Sequence, residues 1–394
     1  MTANLSTRVN RPHVPEAGAT VTAEIEVEPG TQQEPVSRHV ALCIDASGSM
    51  SGAKIRQARD GAAWVFGLLE DDDYLSIVAF DSEVHLLLEA TRWGDIERSE
   101  AMQAIQDLTA GGGTDMYRGL VAARESLLEV PAGQNTVRRI LLLSDGKDNN
   151  HGPRDFRKLG NDIDHDGFRI KSAGIGDDYN EDTIRTLGTT SRGEWTHLED
   201  PGDIEDFFGE AVEEAASVVA QDAELELDVA EGVEVSEIYR AMPQAQEVYP
   251  DWRENATVVK LPDLLDREEQ KVVLKVHVPA GEVGETATLA DVTLSARGET
   301  ATGAITVEYS DDPTELAENV EDVAMTHRQT VIKTELGKGN VETAETELER
   351  MTKIHGEDAE AVDEAERQTQ LVKEGGRAEQ SKATKIVTDE GLRE

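Results

Sequence analysis

The sequence has very little cysteine and no long apolar run. Cys43 is the single cysteine, so no intrachain disulfide can form. No window contains the roughly 18 apolar residues that a membrane-spanning helix requires. The first residues also lack the apolar core of a secretory signal peptide. These absences predict a soluble, cytoplasmic protein that does not enter a membrane.

Positive charge is scarce as well. Lys and Arg together number 38 against 81 Asp and Glu, which gives a formal net charge of −43. Binding to nucleic acid needs a basic surface, so a nucleic-acid-binding protein is disfavoured. In dilute salt the carboxylates would repel one another, whereas at molar salt the Debye length falls to roughly 3 Å. We therefore expect an acidic, solvated surface adapted to a high-salt cytoplasm, as in a halophilic archaeon.

A chain of 394 residues is long enough for two or three domains. Within residues 37–218, apolar runs at 40–44, 76–80 and 140–143 and a fourth predicted strand at 170–175 alternate with helical patterns. Continuous apolar runs are typical of parallel strands that are buried on both faces. This part therefore predicts a doubly wound, Rossmann-like α/β domain.

The segments on either side have a different pattern. Residues 1–36 and 219–310 show strands with alternating apolar and polar residues, which is typical of a β-sandwich. We expect the α/β domain to be inserted into that sandwich. Residues 311–394 are predicted to be helical, with a tail that is partly disordered. The pattern Asp312-Pro313-Thr314-Glu315 marks the start of a helix whose apolar face would run from Leu316 to Thr334.

Oxygen-bearing side chains follow three of the predicted strands. Asp45, Ser47 and Ser49 come directly after the first buried strand of the α/β domain, and alternate positions allow them to converge on a small cation. Ligands bind at the carboxyl ends of the strands in such sheets. Mg²⁺ needs about six oxygen ligands, so further oxygens should come from neighbouring loops. Thr114, after Gly111–Gly113, and Asp145, after Ser144, are the candidates.

The order of these motifs resembles the metal-ion-dependent adhesion site of von Willebrand factor A (VWA) domains. The matching motifs are Asp-x-Ser-x-Ser at 45–49, Gly-Gly-Thr at 112–114 and Ser-Asp-Gly at 144–146, and the resemblance covers about residues 38–216. It implies that Ser47, Ser49 and Thr114 ligate the metal through their hydroxyls, while Asp45 and Asp145 often act through waters. It also implies that an Asp or Glu of a partner protein supplies the last oxygen. The flanking segments resemble those of cytoplasmic prokaryotic VWA proteins.

Other candidate sites are weaker. The segment 162–167 is similar to the first half of an EF-hand loop, but Ala173 stands where the loop requires Glu. Cys43 lies within an apolar strand and is expected to be a buried structural residue. Ser47 has no histidine placed by a motif to act as its base, and Gly-x-Ser-x-Gly is absent. His327 lies on the apolar face of a predicted helix and is expected to be a core or interface residue.

These observations favour a non-enzymatic module that binds a protein partner through Mg²⁺, with Mn²⁺ and Ca²⁺ as alternative ions. The alternatives are an adaptor subunit of an AAA+ ATPase assembly and a signalling scaffold. Ser144 lies beside the expected site and is not a predicted ligand.

The first testable prediction concerns salt. Reducing KCl from molar concentration to about 0.1 M lengthens the Debye length from roughly 3 to 10 Å, which strengthens the repulsion among the surface carboxylates. The melting temperature should therefore fall steadily as KCl is lowered. Thermal melts across a KCl series at constant pH measure this, and a melting temperature that does not depend on salt contradicts the prediction.

Overall fold

The computed structural model describes residues 3–31, 35–133, 135–176, 179–253, 256–356 and 360–375, together with Glu379 and Ala383. The chain divides into two compact units. One unit is continuous and comprises Gln32–Val218, and the other is formed by Met1–Thr31 together with Val219–Glu394. Asp177 and Asp178, which follow the predicted fourth strand of the α/β domain, and most of the predicted tail beyond Gly375 lie outside the described residues.

The elements are numbered along the chain. The strands are β1 Ala3–Val9, β2 His13–Val14, β3 Ala19–Pro29, β4 Ser37–Asp45, β5 Tyr74–Phe80, β6 Val84–Arg92, β7 Thr136–Ser144, β8 Phe168–Ile175, β9 Glu194–Leu198, β10 Val218–Ala220, β11 Glu224–Val229, β12 Glu234–Met242, β13 Gln246–Glu247, β14 Asp251–Arg253, β15 Ala256–Lys260, β16 Leu264–Leu265, β17 Gln270–Val278, β18 Thr286–Ala296 and β19 Glu299–Tyr309. The helices are α1 Ala53–Leu68, α2 Arg98–Asp107, α3 Met116–Leu128, α4 Pro153–His165, α5 Glu181–Thr190, α6 Asp203–Ala216, α7 Pro313–Leu316, α8 Glu321–Gly337, α9 Val341–His355 and α10 Glu360–Gly375.

The continuous unit contains one six-stranded sheet in the order β6-β5-β4-β7-β8-β9. All neighbouring strands are parallel except β5 and β6. Alternate residues of β4 enter different cores: Leu42 packs in a cluster with residues of α1 and α6, and Cys43 packs in a cluster with residues of α3, α4 and α5. Burial on both faces explains the continuous apolar runs. The predicted doubly wound α/β fold is therefore confirmed.

Two strands of this sheet were missed by the sequence interpretation. These are β6 and β9, which lie at the two edges of the sheet. Both contain exposed or half-buried polar residues, such as Glu89 in β6 and Glu194 in β9. An edge strand has only one neighbour and less burial, so it lacks the continuous apolar run that identified the central strands.

The discontinuous unit contains two larger sheets, β1-β3-β17-β12-β13 and β14-β15-β11-β18-β19-β2. Side chains from both sheets, including Ile25 and Leu274 from the first and Leu227 and Val292 from the second, form one hydrophobic cluster. The alternating pattern of the sequence arises because one face of each sheet lines this shared core. The chain leaves these sheets after β3 and returns to them at β11, and the continuous unit lies between these strands in the sequence.

The C-terminal helices differ from the prediction at one point. Asp312 caps α7 by accepting a hydrogen bond from the amide of Thr314 at 2.7 Å, but α7 ends at Leu316 and the next helix starts at Glu321. The predicted continuous helix from Pro313 to Thr334 is therefore wrong. The amide of Val320 donates instead to the carbonyl of Asn10 at 2.7 Å. This tertiary hydrogen bond interrupts the helix and could not be predicted from the local sequence.

Helix α8 packs against the strands of its own unit. His327 is buried, its ring meets Tyr239 of β12 edge-on at 5.7 Å, and its Nε2 lies 3.3 Å from a carboxylate oxygen of Glu237. This histidine contact, together with the hydrogen bond from Lys275, lowers the pKa of Glu237 to about 2. Residues of α8, α9 and α10 form a separate apolar cluster.

In the part of the chain that the structure describes, no helix is long and apolar enough to cross a membrane.

The helical cluster generates a stability prediction. Ile332 of α8 is fully buried, whereas Ile354 of α9 is 59% exposed. Ile332→Ala should therefore destabilise the protein by about 2–5 kcal/mol, because it removes buried methyl groups and leaves a cavity. Ile354→Ala is the matched control and should change stability by less than about 0.5 kcal/mol. Denaturant unfolding in high KCl measures both, and equal effects would show that the helices do not pack as described.

Candidate metal centre

The candidate site is built on two adjacent strands in the middle of the parallel sheet. β4 pairs with β7, and Ile44 lies opposite Leu143. Asp45 is the last residue of β4, Ser144 is the last residue of β7, and Asp145 follows it. Because parallel strands end at the same edge, the register brings the two aspartates to the same place.

The first loop of the site, residues 45–49, is held by hydrogen bonds among its own polar groups. The amide of Ser47 donates to Oδ1 of Asp45 at 2.8 Å, and the hydroxyls of Ser47 and Ser49 lie 3.0 Å apart. The hydroxyl of Ser49 donates to Oδ1 of Asp145 at 2.7 Å. Four of the five predicted ligands are thus connected in one hydrogen-bonded chain that joins the ends of β4 and β7.

The glycine loop approaches the first loop through its backbone. The amide of Gly48 donates to the carbonyl of Gly112 at 3.2 Å, and the amide of Gly111 donates to the carbonyl of Ala46 at 2.7 Å. Gly112 has a φ of +71°, which favours glycine. The loop therefore holds Thr114, the fifth predicted ligand, at the same edge of the sheet.

Gly146 shows how closely Thr114 and Asp45 approach. A Cβ atom added to Gly146 would lie 3.0 Å from the hydroxyl oxygen of Thr114 and 3.4 Å from Oδ2 of Asp45. The three loops of the site are 45–49, 111–114 and 144–146. Oxygens of the first two loops therefore lie next to Gly146 of the third, where a larger side chain would fill the space between them. The structure brings all five predicted residues together.

Both aspartates are removed from solvent. Asp45 is fully buried and Asp145 is 1% exposed. Burial raises the pKa of Asp45 to about 6, and the nearby charge of Asp145 acts in the same direction. Hydrogen bonds from Ser144 and Ser47 partly oppose this shift because they stabilise the ionised form. The metal-free site therefore holds acidic groups that would be stabilised by a cation.

Two residues of the site were not assigned to it from the sequence. The hydroxyl of Ser144 donates to Oδ2 of Asp45 at 2.5 Å. This serine therefore positions a predicted ligand and is part of the site. Lys54, in the first turn of α1, donates to Oδ2 of Asp145. The serine could have been suspected from its place in Ser-Asp-Gly, whereas the contact made by Lys54 depends on how α1 packs.

The donor set fits a hard divalent cation. Three hydroxyls and two carboxylates are oxygen ligands of the kind that Mg²⁺ and Ca²⁺ prefer, and soft ligands such as thiolates are absent from these five positions. Ser47, Ser49 and Thr114 would hold the ion through neutral oxygens. Asp45 and Asp145 would supply its counter-charge, directly or through waters.

A second acidic group lies close by and is a weaker metal candidate. Single ligand atoms of Asp115, Asp148 and His151 lie within 4.8 Å of one another. Asp148 already accepts backbone hydrogen bonds from Tyr117, Asn150 and His151 at 2.6–3.0 Å. Asp115 caps α3 and accepts a hydrogen bond from Asn150. These carboxylates therefore have a structural role in fixing the loops.

The comparison with protein families identifies this unit. Residues 39–210 match the model of the von Willebrand factor type A domain. The chain therefore contains a VWA domain that includes all three loops of the site. Domains of this family generally mediate metal-dependent protein–protein interactions and commonly bind a divalent metal at the adhesion site.

Two proteins that are similar in sequence match part of the chain. An uncharacterized protein of Synechocystis sp. is 26% identical over 246 residues, which cover 61% of this chain and 57% of that protein. The inter-alpha-trypsin inhibitor heavy chain H2 of Mus musculus is 28% identical over 171 residues, which cover 41% of this chain and 18% of that protein. The chain thus matches just over half of the first relative and a small part of the second.

Two solved structures are similar over nearly the whole chain. A von Willebrand factor type A protein from Catenulispora acidiphila superposes with a TM-score of 0.78 at 20% identity, covering 94% of this chain and 89% of its own. The ArnB paralog VWA2 from Sulfolobus acidocaldarius gives a TM-score of 0.65 at 17% identity, covering 98% and 97%. At 20% and 17% identity, this similarity shows that the fold is shared and does not identify a binding partner of this chain.

Ser144 generates a prediction on pH. Protons compete with cations for Asp45, so Mg²⁺ affinity should fall as the pH is lowered through about 6. Ser144→Ala removes a hydrogen bond that favours the ionised form, so the fall should begin at a higher pH and affinity at pH 6 should drop several-fold. Ser51→Ala, an exposed serine in the same segment, is the matched control. Calorimetric titrations from pH 5 to 8 measure the shift, and identical pH profiles for the two variants would contradict it.

Proposed function

We propose that this protein is a Mg²⁺-dependent protein-binding module that recognises a carboxylate of its partner. The observation that carries the proposal is the convergence of Asp45, Ser47, Ser49, Thr114 and Asp145 at one edge of the sheet. Ser47, Ser49 and Asp145 are connected by hydrogen bonds, and Thr114 faces Asp45 across Gly146. Mn²⁺ or Ca²⁺ could occupy the same oxygens.

The position of the site suits recognition of another protein. Asp45 and Asp145 are buried, whereas Gly48 and Ser49 are exposed, so the set of oxygens extends from the interior to the surface. When bound, the cation supplies positive charge and a coordination position for an oxygen of the partner. In a chain with a net charge of −43, an acidic partner would otherwise be repelled. The site therefore reverses the sign of the charge at the place of contact.

The same geometry argues against catalysis at this site. The hydroxyls of Ser47 and Ser49 are hydrogen-bonded to each other, and Ser49 also donates to Asp145. Within the described residues neither serine is paired with a histidine, and an activated nucleophile needs an adjacent base. We therefore propose a binding protein without enzymatic activity at the metal centre. Its strong negative charge further supports the proposal of a high-salt cytoplasm as its setting.

The metal assignment is tested at Asp145. Asp145→Ala removes a buried carboxylate and should lower the affinity for Mg²⁺ by about 10- to 100-fold, the range seen when supporting groups of metal sites are removed. Asp60→Ala is the matched control, because Asp60 is exposed on α1 and carries the same charge. Calorimetric titration at fixed high KCl decides the matter. Equal affinities for Asp145→Ala and the parent protein would show that the ligand assignment is wrong.

Partner binding is tested separately with Thr114. A pull-down from native extract in high KCl should recover a partner with Mg²⁺ and lose it with a chelator. Thr114→Ala removes one neutral ligand, so it should weaken partner recovery with a smaller loss of metal affinity than Asp145→Ala causes. Recovery of the same partner in the presence of chelator would contradict metal-dependent recognition.

A further inference from the structure

Lys54 occupies an unusual position for a lysine. It is the second residue of α1, next to the amino end of the helix. A cation there is disfavoured by the helix dipole, whose positive end is at the amino terminus. Another interaction must therefore hold the ammonium group in place.

That interaction is with the metal centre itself. Nζ of Lys54 lies 2.5 Å from Oδ2 of Asp145, whose side chain is fully buried, while the lysine side chain is 28% exposed. The other oxygen of Asp145 accepts the hydroxyl of Ser49. Nζ would also lie 3.5 Å from a Cβ atom added to Gly176, at the end of β8. The ammonium group thus lies over the carboxyl edge of the sheet and pairs with a predicted metal ligand.

We infer that Lys54 is the internal counter-ion of the metal centre, which neutralises Asp145 when no cation is bound and opposes the binding of a divalent cation. The inference deepens the proposed function and rests on it. Asp45 lies close enough for its pKa to be raised by the charge of Asp145. Within the described residues Lys54 is the cation that pairs with Asp145, so without it the two neighbouring carboxylates would lose this compensating charge in the metal-free protein.

The same lysine changes the charge that a partner meets. Two ionised aspartates balance a divalent ion, so the loaded centre without Lys54 would be neutral. With the ammonium group still beside Asp145, the loaded centre carries one net positive charge. Lys54 therefore lowers metal affinity and, once metal is bound, increases attraction for a carboxylate. It makes recognition depend on a higher metal concentration and on an acidic partner group.

The inference is tested with the full chain in high KCl. Lys54→Met removes the charge and keeps an unbranched side chain, and it should bind Mg²⁺ about tenfold more tightly, as expected for one charge a few ångströms from a divalent ion in a water-like dielectric. In chelator its melting temperature should fall by a few degrees. Lys147→Met is the matched control, because Lys147 is exposed in the loop after Asp145 and its loss changes the net charge equally.

Two further variants keep the test independent of folding defects. Lys54→Gln retains a hydrogen-bond donor without the charge and should also bind Mg²⁺ more tightly. Lys54→Arg retains the charge and should bind it as the parent protein does. Calorimetry with Mg²⁺ and Mn²⁺ and thermal melts in chelator are the measurements.

The outcomes separate the inference from the proposed function. If the parent protein binds Mg²⁺ and the Lys54 and Lys147 variants bind it equally well, Lys54 is not a competing counter-ion and the metal site stands. Equal melting temperatures of Lys54→Met and Lys147→Met in chelator would overturn the counter-ion role in the metal-free state. If neither the parent nor any Lys54 variant binds Mg²⁺ or Mn²⁺, the proposed function fails, and the inference fails with it. Binding of Mg²⁺ by Lys54→Met but not by the parent protein would support the inference that Lys54 opposes metal binding.

Discussion

The burial of two carboxylates at the ends of neighbouring strands is the constraint on which the site depends. Asp45 and Asp145 are removed from solvent, and burial together with the nearby charge of Asp145 disfavours the ionised form of Asp45. The surrounding residues can be understood as compensation for this cost. Ser144 and the amide of Ser47 donate to Asp45, and Lys54 pairs with Asp145. A divalent cation would complete this compensation and would turn an unfavourable cluster into a binding surface.

Much of this arrangement could be predicted from the sequence, because the relevant signals are local. A strand buried on both faces produces a continuous apolar run, as in β4 and β7, and the polar residue that ends the run marks the carboxyl edge of the sheet. Parallel pairing then brings Asp45 and Asp145 together without knowledge of the loops. Thr114 could be predicted as a ligand because it directly follows the glycines at 111–113. The ligand roles of the five residues remain a prediction that the geometry supports.

The remaining features depend on tertiary contacts that the sequence does not display. Lys54 appears in the sequence as an ordinary residue of an amphipathic helix, and its role follows only from where α1 starts relative to β7. The break between α7 and α8 arises because Val320 donates to Asn10, more than 300 residues earlier in the chain. The edge strands β6 and β9 were missed because partial burial removes the apolar run. In each case packing overrides the local pattern.

The most direct test of the central claim is a crystal structure of the protein grown or soaked with Mn²⁺ in high salt, with the ion located by its anomalous scattering. The account predicts one strong peak among the three loops, with the hydroxyl oxygens of Ser47 and Ser49 at about 2.0–2.3 Å, as expected for a small divalent ion bound by oxygen. A peak at Asp115, Asp148 and His151, with none among the three loops, would contradict it.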